Sequence, residues 1–146
     1  MSKVKIGYLG GCWDLFHVGH LNYIREAKKR CDYLIVDVTP DEIMFKQKNK
    51  YPIIKEDYRL EVIRAIKYVD RAELSDEKRD FGAWEKYGYN VLFLSGDHKG
   101  KEYYNNLEEE MRRLGVEVVY IPYMEGISST KIRLDLKKQR NIDFMI

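Results

Sequence analysis

The sequence predicts an α/β domain built as a doubly wound parallel sheet, and three observations carry that expectation. Short apolar runs closed by Gly, Pro or polar turn residues alternate with segments whose apolar residues recur at helical spacing. The helical segments are long enough to return the chain across a sheet and set the next strand parallel to the last. With 146 residues, 45% of them apolar and 34% charged, the chain has the make-up of one globular domain with a core, taken here as residues 1–146.

Each element has its own signal. Residues 4–9 are apolar and stop at Gly10-Gly11, as a buried strand ending in a turn does. From residue 18 to about 29, Leu21, Ile24 and Ala27 keep helical spacing, and Lys28, Lys29 and Arg30 suit the negative end of a helix dipole. "DYLIVDV" (32–38) is a second buried strand, rich in β-branched residues. Residues 57–68 put Leu60, Ile63 and Ile66 on one helical face, and "RAEL" (71–74) reads as a weak third strand. A helix at 79–87 leads to the strand at 90–95, the turn "GDHKGK" and a helix at 103–114. A strand at 116–122 and a helix at 128–138 follow. Right-handed crossovers put helices on both faces, and ligands of such sheets bind beyond the carboxyl ends of the strands.

Composition also excludes function classes. A net charge of +2 gives no footprint for nucleic acid or for a membrane surface. No apolar run nears the ~18 residues of a membrane span, and the first residues lack a secretory signal core. Cys12 and Cys31 make neither a zinc cluster nor a disulfide framework, so a reducing cytoplasm is the expected compartment.

The chemistry concentrates at the expected strand ends. Two of the chain's three histidines, His17 and His20, fall in "YLGGCWDLFHVGHLNYI", three apart on one side of a first helical turn. Unpaired N–H groups and the dipole make a helix N-terminus attractive to phosphate. Gly10 and Gly11 permit the turn, and Gly19 removes a side chain that would crowd a ligand. Each imidazole can donate a hydrogen bond to a phosphate oxygen. Capping histidines and a zinc site are the rival readings, but no third His or Cys lies near, and Asp14 alone is weak support for a metal. In "MEGISSTKIR", Ser128, Ser129 and Thr130 follow Gly126 as caps of another helix, or as a second phosphate cradle. Lys46, Lys48 and Lys50 stand in a polar stretch expected to be a flexible loop that closes over a polyphosphate. With Asp97 after a buried strand, these features point to a nucleoside triphosphate without choosing its base.

"GGCWDLFHVGHLNYI", "DYLIVDVTPDE", "YRLEVIRAIKYVD", "SGDHKGK" and "EGISSTKI" occur in the order and near the spacing of the cytidylyltransferases, which the chain resembles over about residues 3–135. The resemblance is greatest to the bacterial glycerol-3-phosphate cytidylyltransferases. It implies a Rossmann-like nucleotidyltransferase fold with five strands in the order 3-2-1-4-5, and a homodimer. It implies that an acceptor phosphate attacks the α-phosphorus of CTP with Mg²⁺ present, releasing pyrophosphate with no covalent enzyme intermediate.

His17, His20, Lys48, Ser129 and Thr130 then match catalytic positions. Gly11, Cys12, Trp13, Asp14, Gly19, Lys50, Gly96, Asp97 and His98 match nucleotide-binding positions, as do Tyr123, Glu125, Gly126, Ile127 and Ser128. Arg59, Lys67 and Asp70 match acceptor-binding positions; no residue is assigned to a metal. Asp14 is expected to shape its loop, and Lys46 stays an alternative to Lys48.

The chain departs from the family pattern at several points. Cys12 and Trp13 replace threonine and phenylalanine, Lys67 replaces an arginine, and Tyr123 and Met124 replace the arginine and threonine before E-G-I-S. The "GDHKGK" loop is one residue short, with His98 near an often acidic position. An adenylyltransferase using ATP on a sugar phosphate therefore stands beside the cytidylyl reading, as does a regulatory module that binds a nucleotide without turnover.

Overall fold

The computed structural model describes residues 3–145. β1 (Ile6–Gly11) pairs in parallel with β2 (Tyr33–Val38) on one side and with β3 (Val91–Ser95) on the other, and β4 (Glu117–Ile121) pairs with β3. The four strands lie in the order β2-β1-β3-β4. α1 (Val18–Lys28) joins β1 to β2. α2 (Asp41–Lys48), α3 (Glu56–Arg64) and α4 (Arg79–Tyr87) lie between β2 and β3. α5 (Glu102–Arg113) joins β3 to β4, and α6 (Ser129–Met145) follows.

Alternation along the strands sends side chains to two cores. Leu9, Leu34, Val36 and Phe93 pack with Ile24 and Ala27 of α1 and Ile63 of α3. Tyr8, Ile35, Leu92 and Leu94 pack with Ala83 of α4 and Leu107 and Met111 of α5. Helices thus cover both faces, as a parallel sheet requires.

The expected fifth strand is a correction. Residues 71–74 lie parallel along β2 where that strand belongs, but they form only the isolated bridges Ile35↔Arg71 and Val38↔Leu74. Val36 and Val38 N–H donate to Arg71 and Glu73 O at 2.9 Å each. The Glu73 N–H donates instead to Asp37 Oδ1 at 3.3 Å, so a buried side chain takes a donor that a ladder would use. The helix expected over 57–68 ends at Arg64, where the Ala65 N–H turns back to Glu61 and Val62 O. The lysine stretch is also corrected: Lys46 and Lys48 ride the last turn of α2, and only Asn49, in the left-handed conformation at φ 56°, begins the loop.

Sheet register creates the crevice. β1 and β3 are in register only at Gly7↔Val91 and Tyr8↔Leu92, although β1 runs on to Gly11 and β3 to Ser95. The strands part toward their carboxyl ends at the point where strand order reverses, the place where doubly wound sheets bind ligands. The Tyr23 hydroxyl enters the gap from α1 and donates to Phe93 O at 3.2 Å, satisfying a carbonyl the parted strand left free.

Candidate active site

α1 is capped by the histidines themselves. His17, extended at φ −142° and ψ 179°, is the N-cap residue, and its Nδ1 accepts from Gly19 N–H at 3.0 Å. His20 Nδ1 accepts from His17 N–H at 3.2 Å, a capping box made by imidazoles in place of the usual hydroxyl and carboxylate. An accepting Nδ1 places the proton of a neutral imidazole on Nε2. The backbone therefore selects one tautomer for both rings, with Nε2–H as the donor left over. The rings stack at 3.9 Å and 22°, so the two donors stand side by side. Burial lowers the pKa of His17. Burial, then the neighbouring His17, lowers that of His20 to about 4. Both are neutral donors near pH 7, at a helix start that carries no acidic residue. Gly19 serves His17 more directly than any ligand, since a Cβ there would sit 2.8 Å from His17 Cε1.

The loop between β1 and α1 is held from behind. Trp13, at φ 60°, is buried, donates its indole N–H to Asp37 O at 2.9 Å and sets its ring edge-on to His20 at 5.5 Å. The Asp14 carboxylate is 2% exposed and accepts from Ile53 and Ile54 N–H at 2.9 Å each, and from Arg133 at 2.6 Å. Burial opposes its charge, yet the two amides and the guanidinium hold its pKa below the usual carboxylate range. Asp14 thus ties the loop to the chain entering α3 and to α6. The Ser129 hydroxyl adds a bond to Asp14 O at 2.7 Å.

Several expected site residues come together around a cleft of about 450 Å³, lined by Gly11, Cys12, Trp13, Asp14, His20, Lys48, Lys50, His98, Ser129 and Thr130. The cleft also takes in Tyr8, Tyr23, Arg79, Asp80, Tyr103, Tyr104 and Arg133, which sequence reasoning left out. Tyr23 has the period of the apolar face of α1, so it reads as core; Arg133 lies beyond the capping signal of α6. A smaller cavity of about 130 Å³ opens beside it between His17, Gly19, Tyr123, Met124, Ile127 and Ser128. Ser128 caps α6, its hydroxyl accepting from Lys131 N–H at 3.0 Å. Gly96 packs against the chain entering this cavity, where a Cβ would come 3.0 Å from Ile121 O. Asp97 is exposed and bonds Ser95, Glu125 is exposed, and Gly126 turns the chain at φ 89°.

The expected acceptor trio is not assembled in the cleft. Arg59 is buried behind it, its guanidinium donating to Cys12, Thr39 and Ile54 carbonyls and pairing with Asp41. Its donors are spent on joining β1, β2 and α3, which makes it a strut. Lys67 is exposed over the Tyr68 ring at 5.2 Å. Asp70 pairs with Lys28 at 2.7 Å and accepts from Leu34 N–H, at the amino end of β2 and so across the sheet from the cleft. Lys46 points to Glu77. No group of three or more His, Cys, Asp or Glu residues among those described could hold a metal ion.

A family model described as "Cytidylyltransferase-like" matches residues 8–135. The chain belongs to that family. This cytidylyltransferase-like protein is 34% identical to an FAD synthase of Thermococcus kodakarensis over 128 residues, which cover 84% of this chain and 83% of that one. It is 40% identical to an FAD synthase of Ferroglobus placidus over 127 residues, covering 84% and 81%. It is 31% identical to the bifunctional protein HldE of Nitrobacter hamburgensis over 130 residues, 88% of this chain but 26% of that much longer relative. A solved lipopolysaccharide core biosynthesis protein from Thermoplasma volcanium shares the fold at a TM-score of 0.70 and 29% identity, covering 86% of this chain and all (100%) of its own. Pantoate-beta-alanine ligase from Francisella tularensis, solved with an ATP analogue and beta-alanine, aligns at a TM-score of 0.63 over 94% of this chain and 70% of its own; at 15% identity it shows the fold alone. The cytidylyltransferase-like chain is therefore a nucleotidyltransferase-type protein. No helix among the described residues is long and apolar enough to cross a membrane.

Proposed function

We propose that the protein transfers AMP from ATP to a small phosphate monoester and releases pyrophosphate. The observation that carries transfer chemistry is the pair of Nε2 donors, each fixed in tautomer by a backbone N–H on its own Nδ1. An acceptor phosphate oxygen attacks the α-phosphorus, the bond to the bridging α–β oxygen breaks, and pyrophosphate carries the charge away. Such a reaction needs positioning and charge stabilisation more than covalent help. His17 and His20 donate to the α-phosphate as it becomes five-coordinate. Lys48, Lys50 and the N-terminus of α6 at Ser129 and Thr130 hold the β- and γ-phosphates. Mg²⁺ bound with the triphosphate would neutralise part of its charge alongside Lys48 and Lys50.

Two observations favour ATP over CTP. FAD is AMP joined through a pyrophosphate link to a flavin phosphate, and the FAD synthases align over more than four-fifths of this chain. The cavity beside the histidines offers Tyr123, Met124, Pro122 and Ile127 to a base, an apolar lining with no arginine. Such a surface suits the larger flat purine and supplies no charged donor to a cytosine carbonyl. Pyrophosphate release measured with each of ATP and CTP against flavin, sugar and glycerol phosphates decides the matter. Turnover with ATP is expected; turnover with CTP alone sinks the adenylyl reading. ATP binding without turnover for every acceptor would restore the regulatory module.

A further inference from the structure

Past the histidines, the cleft runs between the start of α4 and the first turn of α5, and Tyr8, Tyr23, Asp80, His98, Tyr103 and Tyr104 line this end. Asp80 is the second residue of α4, and the Tyr89 hydroxyl grips its backbone carbonyl at 2.8 Å. Among the described residues its carboxylate meets its own N–H and the charge of Arg79, both favouring ionisation, and burial outweighs them and raises its pKa. The rings of Tyr8, Tyr23, Tyr89 and Tyr104 lie close enough to feel that charge. His98 lies flat on Tyr104, 4.3 Å between ring centres and 5° from parallel, and its Nδ1 is buried with no hydrogen-bond partner among the described residues. Folded chains seldom leave buried polar groups unpaired. Here an imidazole nitrogen goes unpaired in the aromatic-walled cavity that Asp80 also lines.

We propose that this end is the acceptor site, and that Asp80 and His98 select a phosphate monoester whose uncharged head carries hydroxyl or ring N–H donors on a flat face. The inference rests on the nucleotidyl-transfer reading and names its second substrate. His20, Tyr23, Ser95 and Ser129 border both this cleft and the apolar cavity that suits the base, so the two substrates meet at the histidines from different sides. In-line displacement demands that approach. Tyrosine rings pack the face of a sugar or a heterocycle, the carboxylate takes its donors, and the same carboxylate repels a second anionic group. Glycerol 3-phosphate has hydroxyls but no face to lay on the rings. A flavin phosphate and a cyclic sugar phosphate both have the required chemistry.

Steady-state pyrophosphate release with ATP, using riboflavin 5′-phosphate in one arm and a cyclic sugar phosphate in the other, shows which source it is. Asp80→Asn should raise the KM of the acceptor that is used by about tenfold or more, with the KM of ATP nearly unchanged. An unchanged acceptor KM, or an ATP KM that rises in step, overturns the assignment. If Asp80→Asn does not fold, His98→Phe keeps the stack and removes Nδ1; the same split in KM supports the site, and no split overturns it. If the wild-type protein turns over neither acceptor, the reaction reading fails by itself. Calorimetric titration of the two phosphates then judges the site: binding that Asp80→Asn weakens supports it, and absent or unaltered binding overturns it.

Discussion

The two ends of the cleft are built on opposite terms. At the histidine end His17 and His20 are fixed by backbone N–H groups, and Asp14 by two amides and Arg133. At the tyrosine end Asp80 and His98 are held in place through a carbonyl and a ring stack, and the buried Nδ1 of His98 has no partner among the described residues. The first arrangement suits a transition state, whose charge must meet donors that need no reorganisation. The second suits a ligand that completes the hydrogen bonding on arrival. On the proposals above, the transfer step and the choice of acceptor occupy separate residues.

The sharpest way to break this contrast is to remove the Nε2 donors while keeping the caps. His17→Asn retains an oxygen that accepts from Gly19 N–H, so its unfolding temperature should stay near wild type while kcat falls on the order of 100-fold or more. A wild-type kcat would return His17 to a capping role. His20 is open to a pH test. Its pKa falls from 6.5 to about 4 on folding, so the unfolded chain binds the proton that the folded one refuses. Stability is therefore lost as pH falls below 6.5 and levels off below about 4, an effect on the order of 3 kcal/mol. Thermal unfolding of wild type and His20→Gln between pH 7 and 4.5 should show the variant losing less.

Smaller effects separate the lysines and the displaced acceptor trio. Lys48→Ala should raise the KM of ATP about tenfold, whereas Lys46→Ala, which breaks only an exposed pair with Glu77, should leave it near wild type. Equal effects from the two would mean that the last turn of α2 reorganises around the nucleotide. The smallest effect is expected at Lys67 and Asp70: alanine at either should leave the acceptor KM within about twofold, since neither reaches the cleft.

How much was legible in the sequence varies from element to element. The strands at 32–38 and 90–95 were plain because residues buried on both faces form short apolar runs, broken in the first only by Asp37. The strand at 71–74 was half right, since a buried aspartate one strand away diverts the Glu73 N–H, and periodicity carries no record of that. α2 was missed because lysine, glutamine and glutamate make a helix face and a solvated loop look alike. In the site, His17, Gly19 and His20 stood out through spacing. Arg59 looked like an acceptor ligand because a cation in a motif reads as free until its partners are known; here three carbonyls and Asp41 claim it. Asp80 gave no signal at all, as one acid in the charged run "SDEKRD".

By itself the sequence determined the alternation of strands and helices, the Gly-Gly turn after β1 with its two histidines, and the nucleotidyltransferase class. These depend on residues adjacent in the chain, whose geometry the local backbone imposes. Tertiary structure alone decided where β1 and β3 part, which imidazole nitrogens remain free, which cations are struts, and that Asp80 and His98 share a tyrosine-walled cavity. Those outcomes depend on groups brought together from distant parts of the chain, where burial and competition for hydrogen bonds assign each polar atom its partner or leave it without one.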